Sequence, residues 1–105
     1  MISLKPGVRI TGLRNEALFA TTVAQSIFVD EGYDMVITSG TDGSHSRGSK
    51  HYCGDAFDLR TRHMASGTAA KIKDKLAEAL GEEFDVILER THIHVEFDPK
   101  RGINK

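Results

Sequence analysis

The spacing of apolar residues along the chain predicts two helices. Between Leu13 and Phe28, apolar side chains recur every three or four residues, as they do along one face of a helix. Asn15 is a suitable cap and Gly32 a suitable stop, which predicts a helix over residues 15–31. The same periodicity predicts a second helix, which is capped by Ser66 or Thr68 and ended by Gly81. Its buried side is assigned to Ile72, Leu76, Ala79 and Leu80.

Other stretches have the composition or the alternation of strands. Residues 8–10 are predicted to be a short strand or an extended lead-in. Stronger β-branched runs or alternating patterns predict strands at residues 35–39, 56–60, 84–88 and 92–97. The predicted class is α+β, with an antiparallel or mixed sheet and two helices packed on one of its faces. One domain is expected over residues 1–105, with residues 1–7 and 99–105 extended or frayed.

Composition excludes several classes of protein. The 105 residues suffice for one small domain, and 14 Lys and Arg against 15 Asp and Glu argue against nucleic-acid binding through bulk charge. No apolar run is long enough to cross a bilayer, and residues 1–7 lack an apolar signal core. We therefore expect a monomer without a membrane anchor, made in the cytoplasm and acting elsewhere only after a separate release.

The segment 40–49 is predicted to be a functional loop. It has three glycines, three serines and no apolar residue, and it leads directly into His51. Cys53 is the single cysteine of the chain, so no internal disulfide can form, and we expect it to be a small packing residue. His63 is expected to be an ordinary surface histidine.

Two short stretches carry groups that bind metals. His51 and Asp58 lie seven residues apart, and Gly54 between them allows the chain to turn so that both can reach one point. In the last predicted strand, His92 and His94 lie two residues apart and therefore on one face, roughly 6.5 Å apart along the strand. Histidine and aspartate side chains that converge from separate segments are typical of a zinc site.

The first stretch, Ser49-x-His51-x-x-Gly54-x-Ala56-x-Asp58, resembles the signature of the zinc D-Ala-D-Ala carboxypeptidase family. That family includes the phage and bacterial L-alanyl-D-glutamate peptidases and shares its fold with the hedgehog signalling domain. Its second signature, an acidic residue followed by a histidine in His-x-Glu, is similar to the stretch from Glu89 to Glu96. The resemblance extends over residues 35–98, with both motifs in the family's order.

The resemblance implies one zinc ion held by His51, Asp58 and His94. Three protein ligands leave a fourth position for water, which is the catalytic arrangement. Zinc lowers the pKa of that water and polarises a peptide carbonyl, while a carboxylate transfers the proton to the leaving amine. Glu89 is assigned that role, and His92 is expected to stabilise the tetrahedral intermediate. The candidates for contact with substrate are His45, Arg47 and Ser49.

The sequence departs from the family pattern at two places. Many relatives carry an acidic residue three positions before the last ligand, where this chain has Thr91. Members also carry an arginine soon after Ser-Gly to bind the substrate carboxylate, where this chain has Thr41 and Asp42. Arg47 is a possible substitute, since a guanidinium pairs well with a carboxylate.

The expected function is hydrolysis of the peptidoglycan stem peptide by a phage endolysin. Cleavage between L-Ala and D-Glu is favoured over removal of a terminal D-Ala, although no residue in the sequence sets that choice. A different class stays open, in which the protein is a catalytically silent zinc module that binds wall peptide or a protein. A plain structural domain without metal is the third alternative.

Overall fold

Five strands and two helices form in the computed structural model, which describes residues 2–41 and 54–99. In chain order they are β1 (Ile2–Leu4), α1 (Asn15–Glu31), β2 (Met35–Ser39), β3 (Ala56–Arg60), α2 (Thr68–Leu80), β4 (Phe84–Leu88) and β5 (His92–Phe97). The α+β class is confirmed, and β2 to β5 have the predicted bounds. Neither helix has the length and apolar character needed to span a bilayer, within the part of the chain described.

The strands form one mixed sheet in the order β1-β2-β3-β5-β4. β1 runs parallel to β2, and the remaining neighbours are antiparallel. The first strand lies at residues 2–4, and residues 8–10 are not a strand, so the N-terminal segment is not frayed as a whole. The strand at residues 2–4 was not predicted, because three residues carry too little alternation to be recognised, and the edge of β2 supplies the pairing that orders them.

Both helices pack on one face of the sheet, as predicted. Small side chains at Ala17, Ala20 and Ala24 are fully buried and allow α1 to approach the strands closely, while Phe28 fills the space beside them. The other fully buried large side chains of this core are Met35, Ile37, Phe57, Leu59, Ile72, Leu76, Ile93 and Val95.

Charged side chains connect the two helices at their exposed edge. Glu31 at the end of α1 accepts a hydrogen bond from Lys75 of α2, and Lys71 Nζ lies 3.3 Å from its other oxygen. The hydrogen bond from Lys75 is the main reason why the pKa of Glu31 is lowered, against a smaller opposing effect of desolvation.

The helix ends differ in part from the prediction. Gly32 has the left-handed conformation, and its N–H donates to carbonyls of the last turn of α1, so the predicted stop is confirmed. Asn15, however, is the first helical residue rather than the cap, and α2 begins after Gly67 without a side-chain cap from Ser66 or Thr68. On α2, Ile72 and Leu76 are fully buried, Leu80 is partly buried, and Ala79 is exposed.

The turn predicted at Gly54 is confirmed, and it fixes the start of β3. The φ angle of Gly54 is 80°, and a Cβ atom there would lie 2.1 Å from the carbonyl oxygen of Gly12. The carbonyl of Gly54 accepts a hydrogen bond of 2.8 Å from the Arg14 N–H. Only glycine combines this conformation with so close an approach of two backbones. Gly54 therefore holds this part of the motif against the segment before α1.

Candidate metal centre

The face of the sheet opposite the helices carries the site residues that were predicted on β3 and β5. β3 and β5 pair so that Asp58 is opposite His94 and Arg60 is opposite His92. Directly opposed residues project to the same side of an antiparallel pair, so these four side chains, with Glu96, define one surface, here named the site face. The intervening residues project toward the helices and are fully buried, namely Phe57, Leu59, Ile93 and Val95.

Two of the predicted zinc ligands are in direct contact. Asp58 Oδ1 lies 2.9 Å from His94 Nδ1. The other ring nitrogen of His94, Nε2, lies 2.9 Å from Glu96 Oε1. Asp58 is 9% exposed, and the side chains of His94 and Glu96 are 16% and 20% exposed, so solvent competes little with these contacts. The imidazole is therefore held between two carboxylates, one on each nitrogen.

These two carboxylates change the protonation of His94. The hydrogen bond to Asp58 is the largest cause that raises the pKa of His94 to about 9, from an ordinary value of 6.5. Partial burial acts in the opposite direction, and the hydrogen bond to Glu96 and the two negative charges add to the increase. In the metal-free protein at neutral pH, His94 is positively charged and donates to both carboxylates.

The same geometry suits a divalent metal in place of one proton. Tetrahedral zinc with bonds of about 2.0–2.1 Å places neighbouring donor atoms about 3.3 Å apart, close to the separation of Asp58 Oδ1 and His94 Nδ1. Loss of the Nδ1 proton exposes a lone pair toward Asp58, while Nε2–H still donates to Glu96. A metal-bound histidine that donates its second N–H to a carboxylate is the usual arrangement in proteins.

His92 lies beside this pair. Its Nε2 atom is 3.7 Å from Asp58 Oδ2, and its Nδ1 atom is 3.1 Å from the hydroxyl of Thr91. The side chain of His92 is 31% exposed, so it borders both the candidate ligands and the solvent. An imidazole in this position can donate a hydrogen bond to a group bound at the site.

Glu89 lies at the end of the hairpin that connects β4 to β5. The register of the two strands places Ile87 opposite His94, and its continuation places Glu89 opposite His92, whose carbonyl accepts the Glu89 N–H at 2.8 Å. Opposed residues share a face, so Glu89 emerges on the site face, with its side chain exposed. Thr91, three residues before His94, lies in the bend between β4 and β5.

A second group of acids lies on the same side of the sheet and was not predicted. Asp85, Glu96 and Asp98 place one carboxylate oxygen each within 4.8 Å of one another, so that they could hold a metal ion. Asp85 of β4 is directly opposite Glu96. The sequence signal was the acidic alternation Glu96-x-Asp98, but the third acid becomes a neighbour only through the pairing of β4 with β5.

The role of Glu96 was also missed. Glu96 ends the second signature, which gives it no function, and the structure puts its carboxylate on His94 Nε2. The spacing His-x-Glu on a strand was the available signal, since residues two apart project to the same side.

Several predicted residues lie outside the described part of the chain. They include the third expected ligand, His51, the expected packing residue Cys53, and the substrate candidates His45, Arg47 and Ser49. Among the other predictions, His63 is exposed, as expected, and its Nε2 atom lies 3.0 Å from the carbonyl oxygen of Asp34.

No family model matches this chain and no curated protein is significantly similar to it, so its features that bear on function are the two sequence motifs and the geometry of the site face.

Proposed function

We propose that this protein is a zinc peptidase that cleaves the stem peptide of bacterial peptidoglycan, between L-Ala and D-Glu. The observation that carries the proposal is the contact of Asp58 with His94, with Glu96 on the second nitrogen. Asp58 and His94 come from separate motifs, and their side chains lie close enough to bind the same metal ion. They lie on the face of the sheet that does not pack against the core.

In the proposed site, Asp58 and His94 hold one zinc ion together with His51. When bound, zinc acidifies a water molecule and polarises the peptide carbonyl. Glu96 keeps the proton of His94 on Nε2 and so directs the Nδ1 lone pair toward the ion. Asp58 supplies a negative charge that offsets part of the charge of the metal.

The remaining roles belong to the end of the hairpin. Glu89 accepts a proton from water and delivers it to the leaving amine, since a carboxylate can act as base and then as acid at neutral pH. His92 donates a hydrogen bond to the carbonyl oxygen as negative charge develops there. The register that places Glu89 opposite His92 supports this division of roles, because it puts both side chains on the site face.

Two measurements on the purified protein test the proposal. Elemental analysis should find one zinc per chain, and digestion of purified cell-wall peptide should release fragments with a new amino-terminal D-Glu, identified by mass spectrometry. Release of D-Ala alone would instead identify a carboxypeptidase. Zinc without any cleavage would support a silent binding module, and a chain that takes up no zinc would contradict the metal site altogether.

The assignment of Glu89 is tested by Glu89→Gln, which removes the base and preserves the shape. We expect full zinc content and a cleavage rate lower by about 10²–10⁴-fold, the usual contribution of a general acid–base group. Glu82→Gln is the matched control, since Glu82 is an exposed acid before β4, at the end of that strand opposite to Glu89. Unchanged activity in Glu89→Gln would remove Glu89 from the mechanism.

A further inference from the structure

A basic cavity opens beside Asp58 on the Arg60 side of the site face. Its volume is about 320 Å³, within the range of small-molecule sites, and Thr38, Ser39 and Thr91 contribute polar groups to its wall. Among the residues that the structure describes, three cations line it: Lys5 after β1, Arg60 on β3, and Arg62 after β3. Against these three positive charges, the described part of the wall contains one carboxylate, that of Asp58.

The cations of this cavity are not paired within the described structure. None of Lys5, Arg60 and Arg62 forms an ion pair with a described residue. The Nε–H of Arg60 is in addition buried, with no hydrogen-bond acceptor in residues 2–41 and 54–99. A buried donor without an acceptor is unfavourable, and buried guanidinium groups are ordinarily satisfied by a carboxylate or phosphate.

We propose that this cavity binds a carboxylate of the substrate on the leaving-group side of the bond that is cut. The inference rests on the proposed peptidase function and specifies its substrate: a peptide whose amine-side residue keeps a free carboxylate. Arg60 is the central contact, and Lys5 and Arg62 supply further positive charge at the rim.

The chemistry of the two candidate bonds fits this position. Cleavage at L-Ala–D-Glu leaves an amine on glutamate, which has two carboxyl groups and can use only one of them to continue the chain. Removal of a terminal D-Ala leaves an amine whose neighbouring carbon bears the terminal carboxylate. In both cases a negative charge lies a few bonds from the scissile nitrogen, and the cavity lies next to the candidate ligand Asp58. The cavity recognises the carboxylate of the substrate, and other parts of the site must determine which of the two bonds is cut.

Binding can be measured without catalysis. The protein as purified is titrated with D-glutamate, D-alanine and D-alaninamide, and the Nε–H resonance of Arg60 is followed by ¹H–¹⁵N NMR, assigned by its loss in Arg60→Lys. We expect D-glutamate and D-alanine to shift this resonance and D-alaninamide to leave it in place. Equal shifts with the amide, or equally tight binding of inorganic phosphate, would overturn the inference.

Variants separate a binding role from a structural one. Arg60→Gln should weaken D-glutamate binding by about 10-fold or more, the typical effect of losing a charge-assisted hydrogen bond. Because Arg60 is partly buried, Lys5→Gln and Arg62→Gln serve as exposed alternatives that should each reduce affinity by a smaller factor. Lys73→Gln is the control, because Lys73 is a lysine of α2, across the sheet from the cavity. Wild-type affinity in all three cavity variants would refute the role of the cavity.

Kinetics distinguish failure of this inference from failure of the proposed function. A stem peptide with a free glutamate carboxylate should be cleaved with a kcat/KM about 10- to 100-fold above that of its amidated counterpart, and Arg60→Gln should abolish the preference. Equal cleavage of acid and amide would leave the peptidase standing and reject the cavity. Cleavage of neither, with the D-glutamate shift intact, would reject the peptidase and keep the carboxylate site.

Discussion

At the scale of single residues, the contacts of His94 with Asp58 and Glu96 determine what the site face can do. Each ring nitrogen of His94 lies 2.9 Å from a carboxylate oxygen, so the ring orientation is fixed before any metal arrives. A ligand that is already oriented loses little conformational freedom on binding. In the proposed zinc site, Glu96 would therefore act on the metal through His94.

The first prediction concerns this positioning role. Glu96→Ala removes the acceptor on His94 Nε2, and we expect zinc affinity to fall by about 10- to 100-fold, as is typical when the carboxylate behind a metal-bound histidine is lost. The measurement is competition with a chelator of known affinity. Glu96→Gln keeps an amide oxygen as acceptor and should recover part of the loss. Glu82→Ala, at an exposed acid elsewhere, should bind zinc as the unmodified chain does, and an equal loss in that control would show that the effect is not specific.

The second prediction concerns pH. The folded-state pKa of His94, about 9, exceeds its ordinary value of 6.5, so the charged imidazole stabilises the metal-free fold fully below about pH 6.5. That stabilisation is lost as the pH rises through about 9. Zinc must displace the Nδ1 proton, so zinc affinity should continue to increase with pH up to about 9.

NMR titration of the His94 ring in metal-free protein checks this prediction. In Asp58→Asn, the main partner of the imidazole loses its charge, and the pKa of His94 should fall toward its ordinary value. A midpoint near 6.5 in the unmodified protein would mean that the two carboxylates do not hold the imidazole in solution as they do in the structure.

At the scale of elements, strand register brings the two motifs together. The antiparallel pairing of β3 with β5 puts residues that are 36 positions apart in the sequence in contact. The same pairing carries Glu96 to one side of His94 and His92 to the other. A shift of one residue would turn Asp58 into the core and Phe57 onto the surface, so burial of the alternate residues also protects the site geometry.

The third prediction tests how β3 is anchored. Gly54→Ala forces a side chain into a left-handed conformation and against the Gly12 carbonyl, so we expect a loss of about 2–4 kcal/mol in the free energy of unfolding. Gly67→Ala is a matched control, because Gly67 has a similar φ of 84° but nothing within 4 Å of the added carbon. It should lose only about 1 kcal/mol through strain. Denaturant unfolding of both variants measures the difference, and equal losses would show that the contact with Gly12 is unimportant.

At the scale of the whole molecule, the two faces of the sheet have different roles, since one forms the core and the other carries the candidate site. Its helix-covered face contains the fully buried side chains, and its other face holds the histidines, acids and basic cavity. Substitutions on the site face can therefore change binding while the core stays intact. An altered affinity in such a variant can then be attributed to the site face and not to the core.

The fourth prediction follows from coupling between metal and folding. Zinc that binds the native chain and not the unfolded one should stabilise it by about 2.7 kcal/mol at a free concentration of 100 times Kd. For a domain of this size, that corresponds to a rise in Tm of about 10–20 °C. Calorimetry with zinc, and then with excess EDTA, measures the shift. The increase should vanish in Asp58→Ala, and a shift of the same size in that variant would show that the ion binds elsewhere, for example at Asp85, Glu96 and Asp98.

The extent of the secondary structure was predictable from local chemistry. Helical periodicity and Gly32 determined the bounds of α1, and β-branched or alternating runs determined four strands, because these patterns depend on neighbours within one element. β1 was missed, since its three residues become a strand only beside β2. The cap at Asn15 was wrong because polar residues near a helix start permit more than one boundary.

The sequence by itself determined which residues have side chains able to bind a metal and which side of each strand they occupy, because side-chain direction alternates along a strand. Only the tertiary structure decided which of them meet. The contact of Asp58 with His94, the position of Glu96 behind it, and the convergence of Lys5, Arg60 and Arg62 on one cavity all depend on strand order and register. Those are set by how the whole core packs, and no local pattern in the chain encodes them.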